Sequence, residues 1–201
     1  MLVVGGHSRK IGKSSVVSGL IAALPGARWT AIKITHHRHG ASAGRPCEIR
    51  EDTSAAGGDT GRYLGAGAGR AFLISTGEGR LAEALPELSK LLAAGGNAII
   101  ESNGIVEFVR PDLLLFVMDL SAREFKDSSR RCAELADAFI VLNRRASPAW
   151  LHGVAHLLLN KPCFHAAPPS YVTGELATFV EQRLQESRPS VAVPPAPGRI
   201  V

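Results

Sequence analysis

Gly12-Lys13-Ser14-Ser15 stand just before an apolar-periodic stretch and shortly after a glycine pair, Gly5-Gly6. Those residue types in that order suit phosphate chemistry. A glycine-rich turn lets backbone approach a polyphosphate, and the N–H groups that open a helix point at it. The positive end of the helix dipole adds to the attraction. Lys13 is placed to reach terminal phosphates, and the Ser14 hydroxyl to sit on Mg²⁺. Leu2 to Val4 reads as a short buried strand before the glycines, and Lys13 to Leu24 as an amphipathic helix after them. Strand, glycine loop and helix in this order make a P-loop. Its candidate nucleotide contacts are Gly6, His7, Ser8, Lys10, Ile11, Gly12, Lys13, Ser14 and Ser15.

Further residues of chemical interest fall at strand ends. Glu101 closes the apolar run NAII, and Ser102-Asn103-Gly104 lets the chain turn tightly after it. A carboxylate there suits the Mg²⁺ side of a nucleotide site, together with Ser14. Asp119, ending the next apolar run, competes for that role. Lys33 lies inside the strand-like WTAIKIT, where a buried ammonium is costly unless it meets an anion. A terminal phosphate or a substrate carboxylate would serve, which makes Lys33 a catalytic candidate with Lys13 and Glu101. The alternative is an edge lysine lying along a sheet. His36, His37 and His39 cluster with Arg38, and Cys47, Glu48, Asp52 and Asp59 follow. Three readings stay open: a divalent metal site, a mobile loop gathering an anionic substrate, or a solvated polar loop. Asn143 ends VLN, where its amide could face a purine, donating to one ring atom and accepting from another; capping of the next loop is the alternative.

The rest of the chain must position these groups. Expected strands are Trp29 to Thr35, Ala71 to Ser75, Asn97 to Glu101, Asp112 to Met118, Ala138 to Leu142 and a last one near Pro162 to His165. Helical spacing marks residues 59–67, Gly79 to Ala94 with Pro86 inside it as a kink or a fresh start, Ala122 to Ala136 with Phe125, Cys132 and Leu135 inward, Pro148 to Leu159, and Thr173 to Gln185. His36 to Thr60 is too polar and glycine-rich for a packed element and reads as a long loop, functional or disordered. Alternating strands and helices predict a doubly wound, mostly parallel α/β sheet. Residues 1–186 are expected to form one domain, with a proline-rich tail over 187–201.

Composition narrows the function classes. The 201 residues are 45% hydrophobic and 5% aromatic, with a net charge of +5. A basic balance suits phosphorylated ligands, and without aromatic–basic interleaving no nucleic-acid partner is expected. Three separated cysteines suggest reduced thiols and a cytoplasmic protein. A strand that starts at Met1 leaves no signal peptide, and no apolar run approaches a membrane span.

Five residues, not the usual run of G-x-x-x-x-G-K, separate Gly6 from Gly12. That longer loop resembles the one in dethiobiotin synthetase and its relatives. The loop, IKITHHRHG, the segment Asp59-Thr60-Gly61-Arg62-Tyr63, Ala66-Gly67-Ala68 and IIESNG together resemble the accessory protein family of molybdopterin-guanine dinucleotide biosynthesis (MobB) over roughly residues 1–145. Two departures are the longer loop and the Ser-Asn-Gly after Glu101, where that family has glycine directly. The resemblance implies a P-loop NTPase fold, Mg²⁺ with GTP, slow hydrolysis, and help in transferring a guanylate group to molybdopterin beside a guanylyltransferase partner, as a homodimer. It implies that Lys33, His36, His37, His39, Asp59 and Arg62 face the second ligand. An ATP-dependent ligase of the dethiobiotin-synthetase type and a nucleotide-gated switch remain the alternatives.

Overall fold

The computed structural model describes residues 1–37, 47–77, 79–93 and 95–186. Its eight strands are β1 (Leu2–Gly6), β2 (Trp29–His37), β3 (Cys47–Asp52), β4 (Arg70–Gly77), β5 (Asn97–Glu101), β6 (Leu113–Asp119), β7 (Ala138–Leu142) and β8 (Cys163–Ala166). They form one sheet in the order β3-β4-β2-β5-β1-β6-β7-β8. All neighbours pair in parallel except β3, which runs antiparallel along β4. The helices are α1 (Lys13–Ala23), α2 (Gly58–Gly65), α3 (Leu85–Ala93), α4 (Arg130–Leu135) and α5 (Gly174–Glu186).

Both faces of the sheet are covered, which is why the central strands read as unbroken apolar runs. On one face Leu2, Val4, Leu115, Val117 and Ile140 pack against Val16, Val17, Leu20 and Ile21 of α1 and against Leu176 and Val180 of α5. On the other, Val3, Ile100, Leu114, Phe116 and Phe139 meet Leu88 of α3 and Cys132 and Ala133 of α4. The alternation Leu2–Val3–Val4 follows the two-residue period of a strand. The fold is the expected doubly wound α/β sheet.

Three local expectations are corrected, and at Pro86 the fresh start is the outcome of the two. The polar segment after His37 contains a strand, because β3 finds a free edge at β4 and sets Ile49 opposite Ile74. Gly79 to Ala94 is not one helix: a 3-10 turn over Leu81–Ala84 precedes α3, and Pro86 sits in the first turn. Proline lacks the N–H and clashes with the carbonyl four residues back, so it starts a helix more readily than it continues one. Of the helix expected over Ala122 to Ala136 only Arg130–Leu135 forms, and Leu135 is exposed. The chain before it is drawn under the P-loop, where Lys126 N–H donates to the His7 carbonyl (3.1 Å). Pro148 to Leu159 forms two 3-10 turns, Ala149–Gly153 and Ala155–Leu158. The tail over 187–201 lies outside the described residues.

Candidate functional site

β1 lies between β5 and β6, and the chain leaves it toward α1, so the crevice of a doubly wound sheet opens at its carboxyl end. A cleft of about 630 Å³ is found there, lined by Arg9 to Ser15, Lys33, Asp59, Arg62 and Glu101 among others. Gly12 precedes α1 with φ +93°, a conformation that favours glycine, and a Cβ there would lie 2.6 Å from Tyr171. Val16 N–H donates to Gly12 O (2.9 Å) as the first regular bond of the helix. The N–H groups of Lys13, Ser14 and Ser15 come before it, at the cleft wall. Lys13 folds back so that its Nζ donates to Ser8 O (2.5 Å). Burial pushes its pKa down and Glu101 pulls it up, with a net lowering.

Not every expected loop contact faces the cleft. Gly6 N–H donates to Asn103 Oδ1 and Gly6 O accepts from Asn103 Nδ2, both at 2.8 Å, so Asn103 clamps Gly6 from both sides. Asn103 Nδ2 also reaches Ser129 Oγ (2.9 Å), tying the loop base to the start of α4. His7 is fully buried against Phe125 and Trp150, with ring centroids 5.5 and 4.8 Å away. Its main-chain N–H donates to Val117 O (3.3 Å). Gly6 and His7 therefore anchor the loop to the sheet instead of offering N–H groups to a ligand. The Ile11 side chain is also buried, which leaves only its main chain at the cleft, while Lys10 is exposed at φ +58°.

Five polar side chains converge at the start of α1. Lys33 stands opposite Glu101 in the register of β2 and β5, and its Nζ donates to Glu101 Oε1 at 2.9 Å. The same ammonium meets Asp59 Oδ2 at 2.6 Å and Ser14 Oγ at 3.1 Å. Ser14 Oγ donates to Glu101 Oε2 (2.7 Å), and the buried Tyr63 hydroxyl donates to the same oxygen. Lys33 is thus in the interior of the sheet, between β4 and β5, and not an edge lysine. Burial would raise the Asp59 pKa, but the hydrogen bond and charge of Lys33 overcome it and hold the carboxyl low. Burial and the Glu101 carboxylate both push the Tyr63 phenol up, so it stays a donor. Arg62 sits at the rim, half exposed, 3.5 Å from Asp59 and 3.4 Å from Ser15 Oγ.

Asp119 does not join this group. Its Oδ1 accepts from Ser121 N–H (2.9 Å), Ser121 Oγ (2.7 Å) and Asn143 Nδ2 (2.8 Å). Burial would raise its pKa, but the Asn143 and Ser121 hydrogen bonds lower it. Asn143 sits just past β7 at φ +53°, beside a second cavity of about 760 Å³ that Arg144, Arg145, His165 and Ser170 also line. His36 is exposed at the cleft, its Nδ1 2.9 Å from Thr76 Oγ1. His39 and the His37 side chain lie outside the described residues. Among the described residues no three of His, Cys, Asp and Glu group as a metal site.

Two members were missed as parts of one group. Asp59 was expected at the second ligand, and Tyr63 had no role. Their spacing of four residues on a helical segment was the available signal, since it puts both on one face of α2.

No protein-family model matches the sequence, and no curated protein matches it significantly. Among solved structures, LpxK from Aquifex aeolicus, crystallised as an "apo" form in complex with ATP, aligns over 82% of this chain with 20% identity and a TM-score of 0.49. The chain spans about half the length of LpxK, 52%. HypB from Helicobacter pylori, crystallised in complex with nickel, aligns over 96% of this chain and 91% of its own, with 15% identity and a TM-score of 0.55. That likeness is one of architecture. The chain has the P-loop NTPase fold. No helix among the described residues is long and apolar enough to cross a membrane.

Proposed function

We propose that the protein binds a purine nucleoside triphosphate, GTP or ATP, with Mg²⁺, hydrolyses it slowly, and acts on or beside a small anionic second ligand. The observation that carries this reading is the convergence of Ser14, Glu101 and Asp59 at the first turn of α1, directly beside the phosphate loop. Hydroxyl and carboxylate oxygens are the donors that Mg²⁺ takes, and a cation already lies among them in the form of the Lys33 ammonium. Ser14, Glu101 and Asp59 would hold the metal, which when bound neutralises charge on the terminal phosphates. Loop N–H groups from Ser8 to Ser15 would cradle the phosphates, and Lys13 would leave the Ser8 carbonyl for them. Arg62, Arg9 and Lys10 at the rim give the cleft a positive mouth. Positioning and fixed charge would supply most of the rate in such a site. Residues 1–186 would act as one domain, in the cytoplasm.

Identity of the second ligand rests on resemblance. The resemblance of its motifs to the molybdopterin-guanine dinucleotide accessory family supports molybdopterin, a guanylyltransferase partner and a homodimer. The long loop and a strand lysine beside the cleft support the second reading, an ATP-dependent ligase acting on a small acid. Titration calorimetry of the wild type and Lys13→Ala with MgATP and MgGTP tests the shared core of both readings. Binding lost in Lys13→Ala supports it, and equal affinities in the two proteins refute it. ADP release that depends on a small acid would favour the ligase.

A further inference from the structure

The Lys33 ammonium has three protons to donate, and it finds three oxygens from three different elements. They are Asp59 Oδ2 of α2 at 2.6 Å, Glu101 Oε1 of β5 at 2.9 Å and Ser14 Oγ of α1 at 3.1 Å. The remaining valences around it are also assigned. Ser14 spends its own proton on Glu101 Oε2, which turns the lone pairs of its oxygen toward Lys33. Tyr63 donates to that same Glu101 oxygen. These three oxygens are the donors assigned above to Mg²⁺. We propose that Lys33 is a tethered stand-in for the divalent cation, holding its seat in the free protein and keeping free metal out until nucleotide arrives. This rests on the metal–nucleotide reading of the site.

The physical argument is one of competing charges. Glu101 and Asp59 face a common point with side chains 7% and 33% exposed. Emptied of cation, that point would bring two carboxylates together with little water to screen them. Lys33 prevents this, and its tether gives it a high effective concentration that a free ion must outcompete. The position is set by backbone register, since Lys33 and Glu101 are Cα partners in adjacent strands, so the ammonium is delivered by the sheet itself. A metal that arrives with a polyphosphate meets a different balance. The phosphate oxygens bring an anion for the displaced ammonium, so Lys33 can exchange carboxylates for phosphate at no loss of pairing. Free metal offers no such replacement. Lys33 thereby couples metal binding to nucleotide binding.

The test is Mn²⁺ titration of the full chain without nucleotide, followed by electron paramagnetic resonance. Lys33→Met removes the charge but keeps the length, and it should bind Mn²⁺ at least about tenfold tighter than the wild type. Lys33→Met/Asp59→Asn should lose that gain. Equal Mn²⁺ affinity in wild type and Lys33→Met overturns the proposal. Titration of the same proteins with metal–nucleotide is a separate readout: a wild type that binds none refutes the nucleotide reading, whatever Mn²⁺ alone does. Should Lys33→Met fold poorly, amine labelling of the wild type read by mass spectrometry takes its place. Saturating Mn²⁺ should raise the labelling of Lys33 relative to the exposed Lys90, and unchanged relative labelling overturns the proposal.

Discussion

The Nε2 atom of His7 accepts the main-chain N–H of Asp119 at 3.1 Å, which ties the start of the phosphate loop to the end of β6. An acceptor at Nε2 requires the proton on Nδ1, which then donates to Glu124 O at 3.0 Å. The neutral ring is thus used on both nitrogens, between Phe125 and Trp150. Asp119 in turn holds Asn143, so one chain of contacts runs from the phosphate loop to the second cavity.

A pH dependence follows. Burial lowers the His7 pKa below its ordinary value of 6.5; the Glu124 carbonyl and Asp119 oppose this, and Lys13 adds to it. The unfolded chain therefore takes up the proton first as pH falls, and folding is weakened. Stability should be full above about pH 7 and should decline below about 6.5 toward the lower folded value, by up to about 1.4 kcal/mol per pH unit. Asp59 and Asp119, whose values are depressed, lose their contribution only further down, as pH falls through their folded values. Urea unfolding of wild type and His7→Gln at a series of pH values from 5 to 8 checks it. The difference in slope between the two proteins should vanish above neutrality.

Gly5 is closed in from both sides. A Cβ there would lie 2.5 Å from the buried Cys132 Sγ and 3.0 Å from Asn103 Oδ1. Gly5→Ala should cost about 1–3 kcal/mol, the range for overpacking a filled site. Cys132→Ala opens the space under it, so the double variant should recover part of that loss. Denaturant midpoints of the three variants decide the matter; purely additive losses would mean that Cys132 is not the obstacle.

Glu101 satisfies three donors at once, from Ser14, Lys33 and Tyr63. Glu101→Ala leaves the Lys33 ammonium with Asp59 as its one carboxylate, beside Ser14 Oγ, and takes away the acceptor of the Tyr63 hydroxyl. Breaking a largely buried pair by removing one partner typically costs about 3–5 kcal/mol, and the partial exposure of Lys33 argues for the lower end. Urea unfolding without ligand is the measurement. A loss under about 1 kcal/mol would show that water replaces the carboxylate at little cost.

Base discrimination should be weak. Both protons of the Asn143 amide are spent, on Asp119 Oδ1 (2.8 Å) and Ser121 Oγ (3.2 Å), which leaves only its carbonyl oxygen to read a base. Adenine and guanine each offer N–H donors, so an acceptor alone separates them poorly. Arg145, two residues on, cannot accept a hydrogen bond. Competition binding should give GTP and ATP affinities within about tenfold, equivalent to about 1.4 kcal/mol. A hundredfold preference for GTP would place base reading in another segment and favour the molybdopterin reading over the ligase.

Leu2 to Val4, Asn97 to Glu101 and Ala138 to Leu142 were legible as strands because each is buried on both faces, which leaves an unbroken apolar run in the local sequence. Gly12-Lys13-Ser14 was legible for the same reason of locality: a left-handed glycine and a helix start are set by neighbours in the chain. Cys47–Asp52 was not, since its polar residues carry no burial signal and its pairing depends on β4 having a free edge. His7 looked like a loop contact, yet the return of residues 119–126 beneath it decides that it is buried.

Lys33, Glu101 and Asp59 show where sequence stops. Each type could be named in advance as chemically notable, but their meeting requires β2 to lie beside β5 and α2 to pack against β2. Periodicity records whether a residue faces solvent or core, and that is fixed within a few neighbours. Strand order and register depend on which distant faces complement one another, at separations of 26 to 68 residues for this group. The Gly12 turn and the helix start after it were therefore determined by the local sequence, and the burial of His7 and the three-oxygen seat of the Lys33 ammonium only by the tertiary structure.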